Sequence, residues 1–310
     1  MRMLVVGAGA TGGFFGARLA QAGRDVTFLV RPQRAVRLRE QGLRIVSPHG
    51  NATLRPRLIS AGEIEAPFEA VLLTVKAFDL EGAMRDFAAA VGAHTLILPV
   101  LNGMKHMDEL AARFGRGSVA GCAAKVSTVV DDEGRIVQLA PFQDLAYGEM
   151  DGSRSARIEA LDEFMRGAGF DARLSPNIAL EMWEKWALLA TLGGITCLMR
   201  GTLGEIEAVP GGVPFMSRFF EEVTSIIGKI GMGVSAAFYA QGRALLAASK
   251  GSSLTSSMYR DLAAHRAIEA DQILGDLLER GDKAGCSAPL VAAAYANLCV
   301  YQRARSPASV

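Results

Sequence analysis

Residues Leu4 to Gly16 read Leu-Val-Val-Gly-Ala-Gly-Ala-Thr-Gly-Gly-Phe-Phe-Gly. A short apolar run ends in Gly7-x-Gly9-x-x-Gly12, and a helical pattern (Phe15, Leu19, Ala22) follows at once. This spacing suits phosphate binding. Gly7 permits a sharp turn out of a strand, Gly9 lets a pyrophosphate approach the backbone, and Gly12 lets the helix lie close to the strand. Ala10 and Thr11 stand at the helix start, where free N–H groups and the dipole favour an anion. A second apolar run, Asp25–Val30, follows at the distance a βαβ nucleotide-binding unit requires. Enzymes that read an unphosphorylated ribose usually carry Asp or Glu at the tip of that strand, about 20 residues after the glycines. Here the tip reads Leu29-Val30-Arg31-Pro32. A guanidinium suits a phosphate and a carboxylate would repel one. The sequence therefore predicts NADP(H) as cofactor, with Arg31 on the 2′-phosphate and Arg34 close enough to assist. The competing reading is a solvated loop arginine.

Five further polar residues could carry chemistry. In Glu181-Met182-Trp183-Glu184-Lys185-Trp186, helical spacing puts Lys185 on a stripe with Ile178, Met182, Leu189 and Leu192. A lysine on an apolar face is costly to bury unless paired or used, and burial brings its pKa toward that of a proton donor at neutral pH. A lysine that snorkels to water fits the same spacing. Far downstream, Ser257 opens a helical pattern that continues through His265 to Glu269, and Glu269 shares a stripe with Leu262 and Ile273. Both also fit ordinary exposed positions. Lys76 and Asn102 leave two apolar strands at their carboxyl ends, the edge where open α/β sheets bind ligands. His49, His94 and His106 sit in polar, loop-like contexts and are expected to be solvated. His265, one helical turn before Glu269, is an alternative acid.

These residues need elements to hold them. Apolar strands are expected near Met3–Val6, Asp25–Val30, Val71–Lys76 and Thr95–Val100, with helices between them near Gln33–Gln41 and Leu80–Val91. Such alternation predicts an α/β fold with a mostly parallel, Rossmann-type sheet. Arg44–Val46 and Ala52–Leu58 read as a side hairpin. Lys125–Val130, Arg135–Leu139 and Asp144–Glu149 read as antiparallel strands extending the sheet, and a helix near Ser155–Ala168 and a strand Ala172–Leu174 close this half. Ser175-Pro176-Asn177 is the expected boundary, giving a dinucleotide-binding domain over 1–176 and an all-α domain over 177–310. Its helices are expected near Ile178–Met199, Gly212–Ile230, Ser235–Ala248, Ser256–Ala284 and Ala288–Ala304, with a frayed tail over Arg305–Val310.

The 310 residues carry a net charge of +1, so no polyelectrolyte partner is implied and nucleic acid is not expected. The four cysteines have no C-x-x-C spacing, which points to reduced thiols rather than a disulfide frame or zinc site, and to the cytoplasm. The uncharged stretch after Arg2 is explained by the glycine motif rather than by a secretion signal. No apolar run is long enough to cross a bilayer, and no metal is expected.

Taken together, the chain resembles the ketopantoate reductase (2-dehydropantoate 2-reductase) family. The resemblance runs in order through Gly7-Ala8-Gly9-Ala10-Thr11-Gly12, Arg31, Thr74-Val75-Lys76-Ala77, Leu101-Asn102-Gly103-Met104, Trp183-Glu184-Lys185 and Ser256-Ser257-Met258, and on to Asp261 and Glu269. It implies NADPH-dependent reduction of a 2-oxo acid in a cleft between a Rossmann-type domain and a helical domain. It also implies roles: Lys185 as proton donor to the ketone oxygen, Asn102 and Lys76 beside the nicotinamide, Glu269 on a substrate hydroxyl, Ser257 on the substrate carboxylate. A homodimer is the assembly left open. The chain departs from the family pattern at Leu189, Gly193 and Leu254, where some members have asparagines. Aliphatic groups there favour a less polar ketone or 2-oxo acid over ketopantoate. A third reading, a non-catalytic NADP(H)-binding sensor, is disfavoured by the intact set Asn102, Lys185, Ser257 and Glu269.

Overall fold

The computed structural model describes residues 1–305, so the expected fraying beyond Arg305 lies outside the described residues. The continuously apolar run near the start forms β1 (Arg2–Val6), whose Met3, Leu4 and Val5 are fully buried, as a strand covered on both faces requires. It feeds α1 (Ala10–Gln21), and β2 (Asp25–Leu29) returns parallel to β1 with Val5 opposite Phe28. After α2 (Pro32–Gln41) come β3 (Leu43–Val46), β4 (Ala52–Leu54) and β5 (Arg57–Ile59). Next are β6 (Ala70–Leu73), α3 (Leu80–Asp86), β7 (Leu96–Pro99) and α4 (Lys105–Phe114). The main sheet has the order β5-β2-β1-β6-β7, all parallel. The order reverses between β1 and β6, so the glycine loop and the Thr74–Lys76 segment leave the sheet at its switch point.

Two readings of the first half need correction. The expected hairpin over 44–58 is shorter than its pattern: β3 and β4 pair antiparallel, but Arg55-Pro56 interrupts the run and β5 joins β2 in the main sheet. The strands expected to extend the sheet form a second one instead. β8 (Gly121–Val130) and the long β9 (Ile136–Gly148) pair antiparallel, and β9 also pairs in parallel with β3 and β10 (Asp171–Leu174). The physical reason is α1, which needs cover on its outer side. A Cβ at Gly16 would lie 2.7 Å from the Phe28 ring, whereas one at Gly13 would lie 2.3 Å from Ile136 Cδ1 of β9. The helix is thus pressed between the two sheets, and one core of Phe14, Phe15, Phe28, Leu43, Ile136 and Tyr147 runs through all three layers. α5 (Ala156–Met165), capped by the Ser155 hydroxyl, packs beside β10.

The chain divides into two compact units, Met1–Leu101 with His106–Ala179, and Asn102–Lys105 with Leu180 onward. The second holds α6 (Ile178–Met199, from Leu180), α7 (Leu203–Glu207), α8 (Gly212–Ile230), α9 (Ala236–Ala247) and α10 (Ser257–Ala263). A π-turn (Asp271–Gly275) runs into α11 (Asp276–Lys283), and α12 (Pro289–Arg305) ends the described chain. α6 is its axis. Gly194 lets Phe219 of α8 pack against the helix backbone, the Trp183 ring lies on Gly231, and Glu184 Oε1 accepts from the Ser235 N–H at the start of α9.

The helix expected over Ser256–Ala284 is broken. α10 stops at Ala263; Arg266 N–H donates to the Asp261 carbonyl and His265 takes a left-handed conformation (φ 53°). That is a Schellman closure with histidine where glycine is usual. His265 is exposed in this corner, not one helical turn before Glu269, and Glu269 shares no helical stripe with Leu262. His106, expected to be solvated, is fully buried on α4.

Candidate active site

In the first unit, Gly7 has φ 98°, a backbone that favours glycine, and its N–H donates to the Leu29 carbonyl. The Thr74 hydroxyl donates to the Val6 and Gly7 carbonyls at 2.9 and 3.0 Å, lashing the end of β1 to the end of β6. A Cβ at Gly12 would lie 2.0 Å from Thr74 Oγ1, so this glycine makes room for the lashing as well as for helix packing. Gly9 is the N-cap of α1 and offers no side-chain cap. A Cβ built on Gly9 would meet nothing within 4 Å. An uncapped helix start beside open space at exposed Gly9 is a cradle that fits a dinucleotide pyrophosphate.

Arg31 is the N-cap residue of α2 and its side chain is 70% exposed. Its Nη2 stands 2.5 Å from Asp79 Oδ1, and this hydrogen bond raises the guanidinium pKa above its ordinary value. Arg34 turns inward: its Nε donates to the Ala8 carbonyl, and burial, then Arg37, lowers its pKa. Its buried Nη2 has no hydrogen-bond partner. Lys76 is exposed just beyond β6.

In the second unit the sequence-predicted residues lie on three segments. On α6, Glu181, Glu184, Lys185, Leu188 and Leu189 form a half-buried stripe, while Met182, Trp186 and Ala190 face the core. Lys185 is therefore held on a partly open face of an otherwise buried helix. Beside it, the Trp186 Nε1–H donates to the Ile273 carbonyl in the π-turn at 2.9 Å. Glu269, 8% exposed, precedes that turn, and its carbonyl accepts from Ile273 N–H. Gly103 approaches the same turn from Asn102–Lys105: at φ 83°, a Cβ there would lie 2.5 Å from the Gln272 carbonyl oxygen. This contact brings half-buried Asn102 to the turn that Glu269 introduces.

The third segment is the start of α10. Ser256 caps the helix, accepting from Tyr259 N–H, and its Oγ lies 3.1 Å from Thr196 Oγ1 of α6. Burial pushes the neighbouring Cys197 thiol up to about 12, leaving it inert at neutral pH. Ser257 is half-buried as the first helical residue. Met258 reaches α6 at Gly193, where a Cβ would lie 2.8 Å from its Cε. Leu254 is exposed at 37%, and its carbonyl accepts from Leu203 N–H.

Sequence reasoning missed Asp79, Trp186 and Gln272. Their partners lie 48 residues away or more. The one available signal was that Asp79 follows a strand whose carboxyl end lies on the same sheet edge as the β2 tip. Among the described residues no cluster could hold a metal ion, and no helix is long and apolar enough to cross a membrane. All four cysteines are free thiols.

A parallel sheet with a glycine-rich first loop at its switch point, followed by a helical unit, defines a Rossmann-type α/β protein with an all-helical second part. The family model described as ketopantoate reductase PanE/ApbA matches residues 3–152, and that for ketopantoate reductase PanE/ApbA C terminal matches residues 177–302. The chain belongs to the ketopantoate reductase family, a family of oxidoreductases. It is 34% identical over 302 residues to an uncharacterized oxidoreductase of Bacillus subtilis, YkpB, covering 97% of this chain and 99% of that one. The crystal structure of a 2-dehydropantoate 2-reductase from Geobacter metallireducens superposes with a TM-score of 0.86 at 25% identity, covering 97% and 99%. A D-mandelate dehydrogenase in ternary complex with NADH and anilino(oxo)acetate shares the fold at a TM-score of 0.86 and 19% identity, covering 98% and 99%.

Proposed function

We propose that this chain is an NADPH-dependent reductase that converts a 2-oxo acid to the 2-hydroxy acid, in the manner of a 2-dehydropantoate 2-reductase. The observation that carries the reading is Lys185: a lysine on the half-buried stripe of an otherwise buried helix, beside a tryptophan anchored to the turn that Glu269 introduces. Bound in the glycine cradle, the cofactor would supply hydride to the ketone carbon. Gly7, Gly9, Ala10, Thr11 and Gly12 would hold the pyrophosphate, Arg31 the 2′-phosphate, and Lys76 and Asn102 the nicotinamide end. The Lys185 ammonium would hydrogen-bond the ketone oxygen and give it a proton as negative charge grows there. Glu269 would accept a hydrogen bond from a substrate hydroxyl and balance the lysine charge, and the Ser257 hydroxyl would hold the substrate carboxylate.

A second reading keeps this chemistry and changes the substrate. Leu188 and Leu189 follow Lys185 on its stripe, and Met258 fills the space beside Gly193, so the helix face C-terminal to the lysine is aliphatic, whereas Glu181 and Glu184 flank it on the other side. That favours a 2-oxo acid with an apolar side chain over ketopantoate. The shared fold of a D-mandelate dehydrogenase with NADH means that the fold alone selects neither substrate nor cofactor. NADPH and NADH oxidation against a panel of 2-oxo acids that includes ketopantoate tests both readings. No turnover with any of them, despite measurable NADPH binding, would leave the sensor reading.

A further inference from the structure

The tip of β2 lacks a carboxylate in the sequence, but not in the fold. Asp79 follows β6, and in the order β5-β2-β1-β6-β7 that strand lies on the far side of β1 from β2. The Arg31–Asp79 pair therefore spans the carboxyl edge of β1, where the glycine loop turns. Asp79 is the more enclosed partner, its side chain 32% exposed against 70% for Arg31. The guanidinium offered to an incoming ligand thus already has an anion on it. Asp86 adds a second, weaker negative field at the same arginine.

We propose that Asp79 sets the cofactor selectivity of this protein by competing with the ligand's 2′-phosphate for Arg31. This rests on the reading that a nicotinamide dinucleotide binds at the glycine loop with Arg31 at the 2′ position. A 2′-phosphate, carrying nearly two negative charges, has to displace Asp79 from the arginine and then bear the repulsion of that carboxylate. A 2′-hydroxyl meets neither obstacle and can donate a hydrogen bond to a carboxylate, the role an acid at the strand tip plays in NAD enzymes. The arginine and the aspartate pull in opposite directions, so the preference for NADPH over NADH is narrower than Arg31 alone would impose.

The test is a pair of dissociation constants, for NADPH and NADH, measured by calorimetric titration of the full chain without substrate. Asp79→Asn keeps the shape and removes the charge; Asp79→Ser is the second variant, and circular dichroism confirms that each is folded. Both should tighten NADPH by roughly fivefold to thirtyfold while NADH binding stays level or weakens. NADPH affinity unchanged within about twofold in both variants, or an equal gain for the two cofactors, overturns the proposal. Arg31→Gln separates this from the reading beneath it. If Arg31→Gln weakens NADPH selectively but the Asp79 variants have no effect, only the competition is wrong. If Arg31→Gln weakens the two cofactors equally, the assignment of Arg31 to a 2′-phosphate falls, and the competition falls with it.

Discussion

Lys185 is the residue on which the chemistry turns. A general acid at the ketone oxygen is worth about 10²–10⁴ in rate, so Lys185→Ala should lower kcat by that factor. Its effect on the NADPH Kd should be small, because the glycine cradle and Arg31 belong to the first unit. Near-wild-type kcat in that variant would remove Lys185 from the mechanism. His265 would not replace it on present geometry, being an exposed corner residue. Leu189 and Leu254 test the substrate. Changing both to asparagine should shift kcat/KM toward ketopantoate, each new hydrogen bond contributing about 0.5–1.5 kcal/mol. Leu189, half-buried on the lysine stripe, should carry more of the shift than exposed Leu254. A wild type that already prefers ketopantoate to every apolar 2-oxo acid would refute the aliphatic-pocket argument.

Among the elements, the π-turn does the assembling. Trp186 of α6 binds its Ile273 carbonyl, Gly103 lies against its Gln272 carbonyl, and Glu269 stands at its entrance. A π-turn widens the helix by one residue and is often found at functional sites. Gly103→Ala would place a methyl group 2.5 Å from a backbone oxygen at a positive φ that side chains rarely adopt. We expect it to cost more than about 1 kcal/mol of stability and to lower kcat by moving Asn102, with a smaller rise in the NADPH Kd, because the glycine loop and Arg31 belong to the first unit. Thermal melts and steady-state kinetics on the one variant check both; an unchanged Tm would show that the loop yields freely. The 3.6-residue pattern over 256–284 hid this turn. Leu262, Glu269 and Ile273 fit one helical stripe in the sequence, but a chain that closes at His265 and restarts at Ala270 buries Ile268, Glu269 and Ile273 equally well. Periodicity records which residues are buried, not whether the helix between them is continuous.

For the whole molecule, the two sheets around α1 tie stability to pH. Tyr147 of β9 is fully buried, and its hydroxyl donates to Asp162 Oδ1 of α5 at 2.7 Å. Burial, then the bond to Asp162, raises its pKa above the ordinary tyrosine value. The unfolded chain releases this proton near pH 10 while the folded chain retains it. Tyr147 therefore leaves stability intact below that pH and removes it as pH climbs beyond. Tyr147→Phe should flatten the alkaline fall of Tm, although it loses a hydrogen bond at neutral pH. An alkaline limb as steep as that of wild type would place the titration elsewhere. Glu149 acts at the other end: its hydrogen bonds from Arg157 and Ser155 hold its pKa below the usual carboxylate range. Its contribution is present above that range and is lost as acid protonates it.

The sequence by itself determined what depends on neighbours along the chain. The glycine spacing, the apolar strands of the parallel sheet and the helical character of the second half are all patterns of near neighbours, and α1 and the β1–β2 pair stand where that pattern put them. The stripe of Lys185 is not among them, since Ile178, Met182 and Leu192 turn into the core and the lysine keeps company with Glu181, Glu184, Leu188 and Leu189. Only the tertiary structure decided which distant groups meet. It sent β8 and β9 into a second sheet because the outer face of α1 had to be covered. It assigned residues 102–105 to the helical unit because Gly103 packs on Gln272. It also put a carboxylate on Arg31 from 48 residues away, since Asp79 reaches the β2 tip only when the two strands leave the same edge of one sheet.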